Sequence, residues 1–152
     1  MKVNIETIAW GKIEITEEQL YKFEKGIPGF EEEKSFAWIQ EEDSPFSYLQ
    51  SIRESALSFL LVDPFLFYPE YAFEMPDQDV EELGDKEQLG VACIVTLHEQ
   101  IEQSTINLLA PIVMNKATHQ ARQIVLQDHK YQTKHPLQFT QENQSTTDKG
   151  GQ

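Results

Sequence analysis

Hydrophobic and polar positions alternate along the opening stretch KVNIETIAWGKIEI, with Val3, Ile5, Ile13 and Ile15 on one parity and mostly charged or polar residues between them. A period of two is that of a strand with one wet face, and Gly11 predicts a break or bulge between two short strands. TEEQLYKF follows, with Thr16 three residues ahead of Gln19 as in a capping box, which predicts a helical turn or two ended by Gly26. The stretch GIPGF (26–30) then predicts a tight bend of type II geometry, because Pro28 fixes φ at the first central position and Gly29 accepts positive φ at the second.

Three strand-length apolar runs come next: KSFAWIQ (34–40), FSYLQSI (46–52) and LSFLLVD (57–63), bounded by turn formers such as Asp43-Ser44-Pro45 and Asp63-Pro64. DQDVEELG (77–84) has acids in its first turn and a closing glycine, which predicts one short helix. LGVACIVTLH is a nearly continuous apolar run holding Val91, Ile94 and Val95 and is expected to be a central strand. STINLLAPIVMN (104–115) is interrupted by Pro111, which cannot donate to a ladder, so that strand must be bent, bulged or at an edge. A further apolar segment, ARQIVLQ (121–127), follows. Beyond Leu137 only Phe139 is large and apolar, so residues 138–152 are expected to form a polar, disordered tail after a single domain spanning 1–137. Many short strands with one or two short helices predict an all-β barrel or sandwich.

Charge changes this picture. The chain has 12 Lys and Arg against 26 Asp and Glu, and the first hundred residues alone carry −15 while the remainder carries +1. Such a field repels nucleic acid and anionic membrane and attracts basic proteins, although an acidic surface also serves plain solubility. The lone Cys93 lies in an apolar run and reads as a small buried hydrophobe. No stretch resembles a signal peptide or is long enough to span a bilayer, so a cytoplasmic location is expected.

Candidate chemistry is sparse. Histidines 98, 119, 129 and 135 fall into no close ligand spacing, and no nucleophile elbow, phosphate loop or dinucleotide fingerprint is present, so neither metal nor cofactor is expected. The acids cluster in runs (31–33, 41–43, 77–85), the pattern of solvated faces rather than of a catalytic carboxylate pair. Asp63 ends an apolar strand directly before Pro64 and is better suited to capping that end than to catalysis.

The order of landmarks carries more than any one of them. Trp10-Gly11, FEKGIPGF, PFSYLQS (45–51), FLLVDPFLFYPEY (59–71), the N-L-x-A-P-I-x-x-N pattern within STINLLAPIVMN, and RQIVLQDHKYQTKHPL (122–137) together resemble the FliW family of bacterial flagellar assembly factors over residues 3–137. The resemblance implies a non-enzymatic, β-rich protein that binds flagellin in the cytoplasm. It also implies binding to CsrA, an RNA-binding repressor of translation, so that flagellin synthesis is coupled to assembly. An acidic domain suits a basic repressor, but apolar anchors must supply most of the affinity. The anchors expected here are Phe30 beside the bend, Phe65, Phe67, Tyr68 and Tyr71 after Asp63-Pro64, and the stretch Ile112 to Met114. Glu31, Glu32 and Glu33, expected to point outward, together with Asp63, Asn107 and Asn115, complete the candidate surface. Against this stands the possibility that the aromatics simply fill the core from a bent strand. Two other readings are an acidic β-barrel enzyme acting on a carbohydrate or cationic substrate, which would need a deep pocket, and a loosely specific chaperone-like module.

Overall fold

A computed structural model describes residues 2–84, 86–127 and 130–137. The expected tail, 138–152, lies outside the described residues, as do Asp85 and His129. Eleven strands are assigned among the described residues: β1 (Lys2–Thr7), β2 (Gly11–Thr16), β3 (Leu20–Lys22), β4 (Ser35–Gln40), β5 (Phe46–Ser51), β6 (Ser58–Val62), β7 (Leu89–Thr96), β8 (Thr105–Ile106), β9 (Ile112–Asn115), β10 (Ala121–Gln123) and β11 (His135–Pro136). Two short helices, α1 (Pro64–Phe67) and α2 (Asp77–Leu83), separate β6 from β7.

The main sheet runs β10-β9-β7-β6-β5-β4-β3, every neighbouring pair antiparallel. Its two ends meet: Lys22 bridges Gln120, and the Lys22 amide donates to the His119 carbonyl at 2.8 Å. The sheet therefore closes into a barrel, which leaves few bare edges. Inward parity collects Tyr21, Phe36, Leu49, Leu61, Ala92, Ile112, Met114 and Ala121 into one buried cluster. Opposite parity faces outward and is sealed by three covers. The β1–β2 hairpin lays Ile5 and Ile15 over Ala37. α1 and the chain after it lay Phe67 and Tyr71 over Val62, Cys93 and Val95. α2 lays Leu83 beside Val113, Ile124 and Leu126.

β7 is central, as its apolar run predicts. Its first half pairs with β9 and its second with β8, while the segment between β8 and β9 leaves the ladder just before Pro111. The strand predicted to be bent is thus one strand interrupted by a loop, and it forks there: β11 adds to β8 and β10 adds to β9.

One expectation is corrected. Gln19 does accept the Thr16 amide at 2.9 Å, but the helical turn ends at Gln19 and the chain enters the main sheet as β3. Tyr21 and Phe23 are both buried and lie two residues apart, so their burial inside the barrel outweighs the local helical signal.

Candidate partner-binding surface

Asp63 accepts the Phe65 amide at 2.9 Å and so caps α1, whose first residue is Pro64. A carboxylate before a proline at the first helical position is a strong local start signal, and it makes FLLVDPFLFYPEY a strand followed by one helical turn. Helical spacing then decides the orientation of the aromatics. Pro64 and Phe67, three apart, turn inward, whereas Phe65 and Leu66 face solvent with 41% and 51% of their surface exposed. Tyr68 is half-buried, its hydroxyl donating to the Pro136 carbonyl. Tyr71 is buried and donates to the Leu108 carbonyl at 2.7 Å. Burial raises the Tyr71 phenol far above its ordinary value and pushes the adjacent Cys93 thiol up to about 12, so neither ionises at neutral pH.

The bend between β3 and β4 takes the expected form. The Phe30 amide donates to the Ile27 carbonyl at 2.6 Å across Pro28 and Gly29, and Gly29 has φ of 90°. Ile27 is buried, while Phe30 meets the ring of Phe59 edge-on at 5.5 Å and remains 42% exposed. Glu31 and Glu32 face solvent, and Glu31 accepts the Gly29 amide at 3.1 Å, a hydrogen bond that lowers its pKa.

Glu33 departs from the outward orientation expected of it. It folds back onto the end of β5, accepting the Ser51 hydroxyl at 2.9 Å and an Arg53 guanidinium N–H at 2.7 Å. The Arg53 hydrogen bond first, then that of Ser51, holds its carboxyl below the usual range. A depressed folded-state pKa contributes stability at neutral pH that is lost as pH falls through that lowered value. An NMR carboxyl titration should therefore give Glu33 a midpoint below the ordinary carboxylate range, and Arg53→Gln should raise it towards the ordinary value. An unchanged midpoint would show that the pair does not form in solution.

The N-L-x-A-P-I-x-x-N pattern resolves into structural parts. Ile112 and Met114 lie wholly inside the barrel. Asn107 accepts the Leu109 and Ala110 amides at 3.1 and 3.0 Å and so holds the interrupting loop. Asn115, 2% exposed, accepts the Ala117 and Thr118 amides and donates to the Leu83 carbonyl at the end of α2. The acids of α2 are partly committed too: Arg122, itself buried, pairs with Asp79 at 2.5 Å and Glu82 at 2.6 Å.

Of the thirteen candidates, then, Phe67, Tyr71, Ile112, Met114 and Asn115 are buried, and Glu33 is turned inward. Phe30 and Phe65 remain as exposed aromatics, but they sit at opposite ends of β6 and do not form one patch. Leu66 is exposed beside Phe65, and Ile8 and Trp10 at the tip of the hairpin are exposed as well; none of these three is among the candidate anchors, Trp10 serving in the sequence only as a landmark. For Leu66 the signal was present, since a helix begun at Asp63-Pro64 must turn residues 65 and 66 outward together. Concavities among the described residues are open grooves, one of about 750 Å³ lying beside residues 72–77. No cluster of metal-ligating side chains occurs among the described residues, and no described helix is long and apolar enough to cross a membrane.

Known proteins resemble this chain in sequence and in fold. A family model described as FliW protein matches residues 4–137. The flagellar assembly factor FliW of Desulfitobacterium hafniense (strain DSM 10664 / DCB-2) is 43% identical over 153 residues, covering 99% of this chain and 100% of that protein. That of Bacillus subtilis (strain 168) is 43% identical over 136 residues, covering 88% of this chain and 95% of its own. A crystal structure of the flagellar assembly factor FliW superposes with a TM-score of 0.81 at 39% identity, over 90% of this chain and 97% of the other.

Proposed function

Because the chain belongs to the FliW family of non-enzymatic flagellar assembly factors, we propose that it works in the cytoplasm by exchanging two protein partners, flagellin and the translational repressor CsrA. Free flagellin takes it from CsrA, and the released repressor then halts flagellin synthesis. The observation that supports this reading best is α1, which turns Phe65 and Leu66 to solvent beside the exposed carboxylates of Asp63 and Glu70. An apolar pair in acidic surroundings suits a partner that is basic around an apolar contact, since charge speeds encounter and the apolar side chains hold the complex. An enzyme acting on a carbohydrate or cationic substrate is set aside, because the family is not one of enzymes.

Titration calorimetry against purified flagellin and purified CsrA, at low and high salt, tests the reading. Affinity for CsrA should fall steeply with salt and affinity for flagellin much less, because screening weakens exposed charge pairs but not apolar burial. Equal slopes count against the proposal. Phe65→Ala combined with Leu66→Ala should weaken binding of at least one partner by about 30-fold, the scale of losing a central anchor, without lowering the melting temperature.

A further inference from the structure

We propose that residues 72–76 and 125–127 form the two sides of a slot that takes an extended peptide of another protein as an added β-strand, with apolar residues of that peptide alternating with Lys or Arg. This goes beyond the exchange of partners at α1 and rests on a different set of atoms. Residues 72–76 join Tyr71 to α2 outside any helix or assigned strand, and their side chains alternate as in a strand: Phe73 and Met75 half-buried against the α2 cluster, Ala72, Glu74 and Pro76 exposed. The two ends of the segment are fastened. Tyr131 bonds both the amide and the carbonyl of Ala72, and the Pro76 carbonyl accepts the Asp79 and Val80 amides. Between them, the amides and carbonyls of Phe73, Glu74 and Met75 have no hydrogen-bond partner among the described residues.

The opposite wall has the same character. The Ile124 amide donates to the Pro111 carbonyl at 2.9 Å and the Leu126 amide to the Leu109 carbonyl at 2.8 Å. In extended backbone, successive amides point to opposite sides, so Val125 and Gln127 direct theirs away from that pairing. Among the described residues, the groove of about 750 Å³ is lined by residues 72–77 and 125–127. It is thus bordered on both long sides by chain with unused hydrogen-bonding groups, along a segment whose five residues span roughly 17 Å when extended. Such an edge is normally guarded by lysine or covered, because it templates strand pairing. Here the guards are Glu74 and Asp77, neither in an ion pair among the described residues. An acidic edge repels acidic chains, a second copy of this protein included, and admits a basic one. Main-chain bonds would supply affinity and the alternate side chains specificity.

The test uses the full chain, isotope-labelled for NMR, and three synthetic decapeptides: alternating Val/Lys, the same peptide N-methylated at every second backbone nitrogen, and alternating Val/Glu. The Val/Lys peptide is expected to shift the amides of Phe73, Glu74, Met75, Val125 and Gln127 and to slow their hydrogen exchange at least tenfold. The N-methylated and Val/Glu peptides should bind at least tenfold more weakly, and Glu74→Lys should reverse the preference between Val/Lys and Val/Glu. Equal binding by the N-methylated peptide would overturn the proposal, as would no binding or shifts scattered over other acidic surfaces. So would slow exchange at residues 73–75 in the free protein, which would mean that these amides are already engaged. Phe65→Ala combined with Leu66→Ala should leave this titration unchanged, so failure here and failure of the partner-exchange reading are separable.

Discussion

Gly26→Ala is expected to destabilise the protein by about 3 kcal/mol or more, whereas Gly29→Ala, three residues away in the same bend, should cost about 1 kcal/mol. Both glycines have positive φ, 68° and 90°, so the conformational penalty of adding a side chain is similar at the two positions. Surroundings make the difference. A Cβ on Gly29 meets nothing within 4 Å, but one on Gly26 would lie 2.5 Å from the Glu31 Cα and 2.6 Å from the Glu31 carbonyl oxygen. Those are backbone atoms, so no rotamer change relieves the overlap and the bend itself must open. Opening it would displace buried Ile27, the Phe30–Phe59 contact and the segment that delivers Glu33 to Arg53. Urea unfolding of the two variants measures this. If the shifts in midpoint are equal, the close approach to Glu31 is not what requires glycine at 26.

The strands were legible in the sequence because barrel closure makes each of them half-buried or fully buried, and burial writes a period of two or an unbroken apolar run into the chain. β4, β5, β6 and β7 all fall within the runs expected for them. The errors share one cause. Local signals at Thr16–Gln19 predict a longer helical turn than forms, because nothing local to residues 20–23 says that Tyr21 and Phe23 face a barrel interior assembled from β4 and β10. Conversely, the strong helix start at Asp63-Pro64 was read only as a strand end, and the aromatics after it were then left without a periodicity to sort them. The candidate surface was less legible than the fold. Glu33 sits in a run of three acids and nothing adjacent distinguishes it; its partners, Ser51 and Arg53, arrive from the far end of another strand. Asn107 and Asn115 are polar residues in a recognisable pattern, which suits a surface role, yet each is used up by backbone amides a few residues on.

Asn115 is where that distinction has the largest consequence. Asn115→Ala should cost about 3 kcal/mol, because it strips a partner from the buried Leu83 carbonyl and from the part-buried Ala117 and Thr118 amides. Asn115→Asp is the sharper probe. Its carboxylate keeps the two accepted bonds but has no proton for the Leu83 carbonyl, and it sets a negative charge against the C-terminal end of α2, where the helix dipole is already negative. At neutral pH this variant should therefore be no more stable than Asn115→Ala. Burial and the facing carbonyl raise the folded-state pKa of the introduced carboxyl, the two amide bonds from Ala117 and Thr118 lower it, and with the buried carbonyl dominating, folding takes up a proton as pH falls. Stability relative to the parent chain should accordingly recover between neutral pH and about pH 4, the ordinary carboxylate range, as the carboxyl regains a proton to donate. Thermal melts of parent and variant across that range read the recovery directly. A pH-independent deficit would mean that the bond to α2 contributes nothing, and a stable variant that has lost only partner affinity would return Asn115 to the binding surface.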